Sequence, residues 1–146
     1  MRKPTQFETR RLDESLAQAV PTGNHDLRFD LGLPSKIALI VNSNEAKIVL
    51  HLVEPIIIGR SFPEDTTIAF LDLQMFRGDA HGVSRQHLRM WKETGAVYVE
   101  DLRSLNHTRL NQVVVEPNVA HRVHHGDQLA LGDLKLEIEF IFDQLA

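Results

Sequence analysis

The sequence predicts an all-β domain, an antiparallel sandwich or barrel, and three observations carry that prediction. Apolar residues recur at period two after Lys36, most cleanly at Leu134, Leu136, Ile138, Phe140 and Phe142, which alternate with Lys135, Glu137 and Glu139. Clusters of turn residues interrupt these runs at intervals of roughly 8 to 12 residues, the rhythm of short strands joined by tight connections. No helical pattern separates the runs, so a parallel sheet with crossover helices is not expected.

Each element follows from its local pattern. Ile37, Leu39 and Val41 alternate with Ala38 and Ile40, Asn42-Ser43-Asn44-Glu45 reads as a turn, and Ile48, Leu50 and Leu52 resume the alternation, which makes a hairpin. Ile56-Ile57-Ile58 is a short buried run that stops at Gly59-Arg60, and Thr66 to Phe70 reads as a strand after the turn Pro63-Glu64-Asp65. Gln86 to Lys92 and Ala96 to Asp101 flank the turn Glu93-Thr94-Gly95, with Val97 and Val99 on one face. Thr108 to Leu110 and Val113 to Val115 form a hairpin around Asn111-Gln112. Gln128 to Leu131 and Leu134 to Phe142 follow Gly126-Asp127 and Gly132-Asp133.

Residues 1–35 stand apart. Arg10 to Val20 place Leu12, Leu16 and Val20 on one helical stripe, but Pro21, Thr22, Gly23 and Asn24 end it. A helix that short is marginal alone in water, so a flexible or loosely docked N-terminal segment is expected, followed by a domain over residues 36–143.

The totals agree with one domain. A chain of 146 residues, 42% hydrophobic and 25% charged, can bury a real core. The formal charge of −4 argues against a general nucleic-acid binder, which carries a basic surplus, yet leaves room for a small basic pocket. There is no cysteine, which excludes disulfides and thiolate chemistry. Met1 to Pro4 lead into no apolar stretch, and no run approaches the roughly 20 apolar residues of a membrane helix, so a cytoplasmic protein or piece of one is expected, without membrane contact.

Several polar constellations stand at strand ends. Gly59-Arg60 leaves a buried run, where glycine permits close backbone approach and the planar guanidinium suits a phosphate or carboxylate. Gly82-Val83-Ser84-Arg85-Gln86-His87 leaves a turn-rich loop and enters a strand. Ser84 and His87 invite a nucleophile-and-base reading, but the second glycine of a nucleophile elbow is missing and the segment leads into a strand, not a helix. No catalytic residue is therefore assigned. Asn106, in the polar loop after Asp101, offers a donor and an acceptor that suit a peptide backbone. His121, His124 and His125 sit beside Gly126-Asp127 without a spacing that dictates metal ligation, and they read as solvated turn histidines. No glycine-rich nucleotide cradle is present and no cofactor is expected.

Taken in order, Gly59-Arg60, Ser84-Arg85-Gln86-His87, Tyr98 to Leu102, Ser104-x-Asn106-x-Thr108, Gly126-Asp127 and Leu131-Gly132 resemble the forkhead-associated (FHA) domain from about Lys36 to Phe142. The loop Asp72 to Gly82, which ends in Gly-Val-Ser-Arg-x-His, looks like bacterial members of that family. The resemblance implies a β-sandwich of about 11 strands whose loops at one end bind a phosphothreonine peptide without catalysis. It also implies a role in protein–protein interaction under bacterial Ser/Thr kinases. Arg60 and Ser84 would contact the ligand, Ser84 giving a hydrogen bond to the phosphate, with Arg85 in the same motif, and Asn106 would bond the peptide main chain near the phosphothreonine. Gly59, His87 and Thr108 would support the loops. Two positions depart from the family pattern: Leu105 stands where a Thr or Ser hydroxyl is common, and His107 where Gly is usual. His107, near a phosphate, would itself donate a hydrogen bond. The departures motivate an alternative, an FHA-like scaffold or assembly module that binds partners independently of phosphate. Finally, Thr9 has Leu12 at the third position after it, so a phosphorylated Thr9 would make the chain's own tail a candidate ligand.

Overall fold

The computed structural model describes residues 34–61 and 67–142. The chain divides after Gly32 into two units, and every described residue belongs to the second. Thr9 and the possible helix from Arg10 to Val20 lie outside the described residues.

Eleven strands are present among the described residues: β1 (Lys36–Val41), β2 (Ala46–Leu50), β3 (Ile56–Gly59), β4 (Phe70–Asp72), β5 (Leu88–Glu93), β6 (Ala96–Asp101), β7 (Thr108–Leu110), β8 (Val113–Val114), β9 (His121–Val123), β10 (Gln128–Leu131) and β11 (Leu134–Ile141). They build two sheets. One has the order β2-β1-β11-β10-β7-β8, the other β4-β3-β5-β6-β9. The expected sandwich is what forms.

Register explains why. β1 pairs β11 antiparallel with Ile37 opposite Phe140, Leu39 opposite Ile138 and Val41 opposite Leu136, so the alternating apolar residues of both strands face the core together. From the other sheet Ile58, Leu88, Met90, Val97 and Val99 meet them, all fully buried. A side chain of that size stabilises by about 1.5–3 kcal/mol on burial, and these rows set the spacing of the sheets.

Three differences from the sequence pattern are informative. The strand expected over Thr66 to Phe70 instead occupies Phe70–Asp72, and it pairs parallel to β3, Ile57 opposite Phe70 and Gly59 opposite Asp72. A one-turn 3-10 helix, Leu73–Phe76, follows at once. Asp72 caps it by accepting from Gln74 N–H, and the same carboxylate oxygen accepts from Ser61 N–H. His121 is not a solvated turn residue but opens β9, half-buried, with its Nε2 buried and without a partner.

Candidate functional site

Four connections at one end of the sandwich are tied into a single cluster, and glycine sets their spacing. Gly59 ends β3 directly against the backbone of the Ser84-Arg85 segment. A Cβ there would stand 2.0 Å from the Arg85 carbonyl oxygen, so no side chain fits. The next residue, Arg60, donates its N–H to the carbonyls of Ser84 and Arg85, both at 3.2 Å. Gly132, in the β10–β11 turn, has φ +58, and a Cβ there would meet His81 O at 2.5 Å. Its N–H donates to His107 O at 3.1 Å, while Asp133 N–H donates to His81 O at 2.8 Å.

His87 joins two of these loops. It is fully buried, and its Nδ1 accepts from Ser84 N–H at 3.0 Å. That acceptance places the ring proton on Nε2, which lies 3.0 Å from His107 O and donates to it. Burial holds the imidazole below its ordinary pKa, against the opposing pull of the His107 carbonyl and of Asp101. A second proton would face the Ser84 N–H, so the bridge works only with a neutral ring. Serine and histidine here are not a reactive pair: the bond between them uses Ser84's backbone, not its hydroxyl.

Beneath this bridge lies Asp101, 1% exposed. One of its oxygens accepts from Ser104 Oγ at 2.5 Å and from Thr108 Oγ1 at 2.7 Å, and the other from Ser104 N–H at 3.1 Å. Burial pushes its pKa up, but the bonds from Ser104 and Thr108 outweigh it and leave the carboxyl below its usual range. The buried charge is therefore held by a full set of donors. Sequence reasoning missed this hub; the available signal was an acidic residue at a strand end with hydroxyls three and seven residues later.

The outward side chains form the candidate site. Leu105 N–H donates to Ser84 Oγ at 3.0 Å, which occupies an oxygen lone pair and leaves the hydroxyl proton free to point away from the loop. Arg60 is fixed through Nε, which donates to Val83 O at 2.6 Å. Its terminal guanidinium nitrogens have no hydrogen-bond partner among the described residues. Asn106 is exposed and anchored by one end: Nδ2 donates to Gly82 O at 3.1 Å. Its carbonyl oxygen is left to accept. Gly82, at φ +81, leaves room for that amide, since a Cβ would lie 2.7 Å from Nδ2. Arg85 is exposed on the same loop.

His107 sits at φ +69, the left-handed region that favours glycine. Its carbonyl has two uses, accepting from His87 and from Gly132, so the backbone geometry here matters more than the side chain. Leu105 is 82% exposed and supplies no hydroxyl. The cluster thus offers a hydroxyl proton, two guanidinium groups and a carboxamide on loops held by buried bonds. Such a set can grip an oxyanion and an extended backbone beside it.

Elsewhere two turn histidines have side-chain neighbours. His124 Nδ1 lies 3.7 Å from Asp127, and His125 Nδ1 accepts from Phe140 N–H at 2.9 Å. Among the described residues no group of three or more potential metal ligands occurs, and no helix is long and apolar enough to cross a membrane.

This chain belongs to the FHA family: the FHA domain model matches residues 56–132, which span the loop cluster from the start of β3 to Gly132. Solved structures agree on the fold. The FHA domain of an Arabidopsis thaliana hypothetical protein is 22% identical, with 79% of this chain and 94% of that chain covered at a TM-score of 0.59. The FHA domain of the CT664 protein from Chlamydia trachomatis is 23% identical, with coverages of 76% and 100% and a TM-score of 0.52. The N-terminal FHA domain of S. cerevisiae RAD53P, solved in complex with a phosphothreonine peptide, is 20% identical, with coverages of 72% and 93% and a TM-score of 0.55. No curated protein sequence matches the chain.

Proposed function

We propose that the loop cluster reads phosphothreonine peptides, without catalysis, and so makes protein association depend on phosphorylation. The observation that carries this reading is the half-used polarity of the rim. Ser84 Oγ already accepts from Leu105 N–H, so it meets a ligand as a donor, and Arg60 is steered by its Nε bond, its terminal nitrogens unpartnered among the described residues. A dianionic phosphate is the acceptor that such a pair suits, and Asn106 stands ready for the adjoining peptide backbone. The fold shared with the RAD53P domain, which was solved with a phosphothreonine peptide, supports the reading. Its setting on this view is bacterial Ser/Thr kinase signalling in the cytoplasm. Phosphorylated Thr9 is then a possible intramolecular ligand, tested by whether phosphorylating it weakens binding of an external phosphopeptide.

The test is binding to a phosphothreonine peptide library and to its unphosphorylated twin. Phosphorylated peptides are expected to bind selectively, and Arg60→Ala and Ser84→Ala each to weaken binding by about 10- to 100-fold, the worth of one hydrogen bond to a charged group. Equal binding of both libraries sinks the reading.

One observation favours a second reading. Leu105 presents an exposed apolar side chain where a hydroxyl is common, which suits a scaffold module that docks partners without phosphate. That reading predicts partner binding insensitive to phosphatase and to Arg60→Ala.

A further inference from the structure

A groove of about 280 Å³ lies away from the loop cluster's mouth, on the outward face of the six-stranded sheet. Register builds it. Ala130 of β10 stands opposite Arg109 of β7 on one side and Lys135 of β11 on the other. The three side chains therefore leave the same face, with the short alanine as floor between two cations. Gln112 and Gln128 line it too, and no carboxylate does. Arg109 is steadied by its Nη1, which donates to Gly132 O at 3.3 Å. Among the described residues, neither Arg109 nor Lys135 joins any of the ion pairs, which are Lys47–Glu139, His87–Asp101, Arg89–Glu100 and His124–Asp127. In a chain of formal charge −4, two cations line the groove together; Glu137, opposite Gln128, shares the sheet face but does not line the groove.

We propose that this groove holds a carboxylate-rich segment of the same phosphoprotein whose phosphothreonine enters the loop cluster, an inference that rests on the function proposed above. Two observations choose the occupant. Arg109 and Lys135 flank an intervening strand, so their backbones stand roughly 9–10 Å apart. Two cations rooted that far apart suit two carboxylates spaced along an extended segment, each meeting one cation, with the glutamine amides as further donors. The groove also begins where the loop cluster ends. Arg109 is two residues past His107, about 7 Å along a strand. Gly132 joins the two, donating its N–H to His107 O and accepting from Arg109. A partner anchored by its phosphate thus presents acidic residues only a few positions away to the groove at high effective concentration.

The experiment has two arms on the full chain. In the first, hexaglutamate is titrated while backbone amide shifts are followed. Shifts are expected to centre on Arg109, Gln112, Gln128, Ala130 and Lys135 and to be lost in Lys135→Glu. No shifts, shifts centred elsewhere, or shifts unchanged in Lys135→Glu overturn the proposal. The second arm compares a short phosphothreonine peptide with the same peptide extended by a glutamate-rich tract. The wild type is expected to bind the extended peptide about 5-fold tighter, the scale of exposed ion pairs, and less so in raised salt. Lys135→Glu is expected to abolish that gain while leaving the short peptide's affinity unchanged; equal affinities in the wild type overturn the proposal. Failure of the short peptide to bind at all overturns the phosphothreonine reading instead, and the hexaglutamate shifts still decide whether the groove takes carboxylates.

Discussion

Two layers of the loop cluster use polar side chains in opposite ways. In the buried layer, Asp101, Ser104, Thr108 and His87 face one another, and both ring nitrogens of His87 and both oxygens of Asp101 are engaged. In the outer layer, among the described residues, Ser84, Arg60 and Asn106 each make one side-chain bond that fixes their direction and keep at least one group for something else. A serine in the first layer is a strut; a serine in the second is a contact. The difference is read from which bonding capacities remain, because a buried polar group left unpaired is costly and an exposed one is not.

The largest test of that division is Gly59→Ala. Its Cβ would collide with the Arg85 carbonyl, which belongs to the loop both layers share. A cost of about 3 kcal/mol or more is expected in urea unfolding, from overpacking against backbone that cannot give. A variant as stable as the wild type would show that the approach of β3 to this loop is not tight.

Next in size is the contrast between Asp101→Asn and Arg60→Ala. The first alters the buried hub and should cost about 2 kcal/mol of stability, because an amide cannot accept from every donor now satisfied. The second should cost at most about 1 kcal/mol, the loss of the Val83 bond, while weakening phosphopeptide binding as predicted above. If both variants lose stability equally, the distinction between layers fails.

Acid sharpens the comparison further. His87 in the fold lies below its ordinary value of 6.5, so the unfolded chain takes up a proton first. Its contribution to stability is complete above about pH 6.5 and is lost as pH falls toward the lower folded value. Asp101 is likewise below its ordinary 3.8, so its contribution is complete above that value and disappears at more acid pH. His121, also lowered by burial, adds a limb of the same sign as His87. Unfolding measured from pH 7 to 5 should therefore show falling stability, with a shallower slope in His87→Gln. An unchanged slope would mean that the His87 bridge does not depend on a neutral ring.

The smallest effect expected is His107→Gly. Relief of a left-handed backbone should stabilise by about 0.5–1 kcal/mol, with the carbonyl still able to receive His87 and Gly132. A loss of stability would instead assign the imidazole a packing role.

Much of this was legible in the chain. β1 and β11 announced themselves by alternation because each has a face that must enter the core, and a one-residue slip would turn it outward. Gly59, Arg60, Ser84, Asn106 and His107 were individually weak signals, yet their order identified the loops that the fold brings together. What escaped was non-local. β4 pairs in parallel with a strand that ends more than ten residues earlier, a relation that alternation within a short run cannot report. The 3-10 helix is one turn long, too short for a period, although Asp72 marks its start. The role of Asp101 depends on hydroxyls that converge only after β6 and β7 are placed in different sheets.

The bond from Leu105 N–H to Ser84 Oγ has one more consequence. Leu105 belongs to an exposed loop whose other features favour rapid solvent exchange, and its side chain is 82% in water. Yet its amide proton is committed to a side chain 21 residues away, across two strands of sheet. The loop therefore carries an internal clock: an amide whose exchange rate records how often Ser84 lets go, in the resting domain as well as in a loaded one.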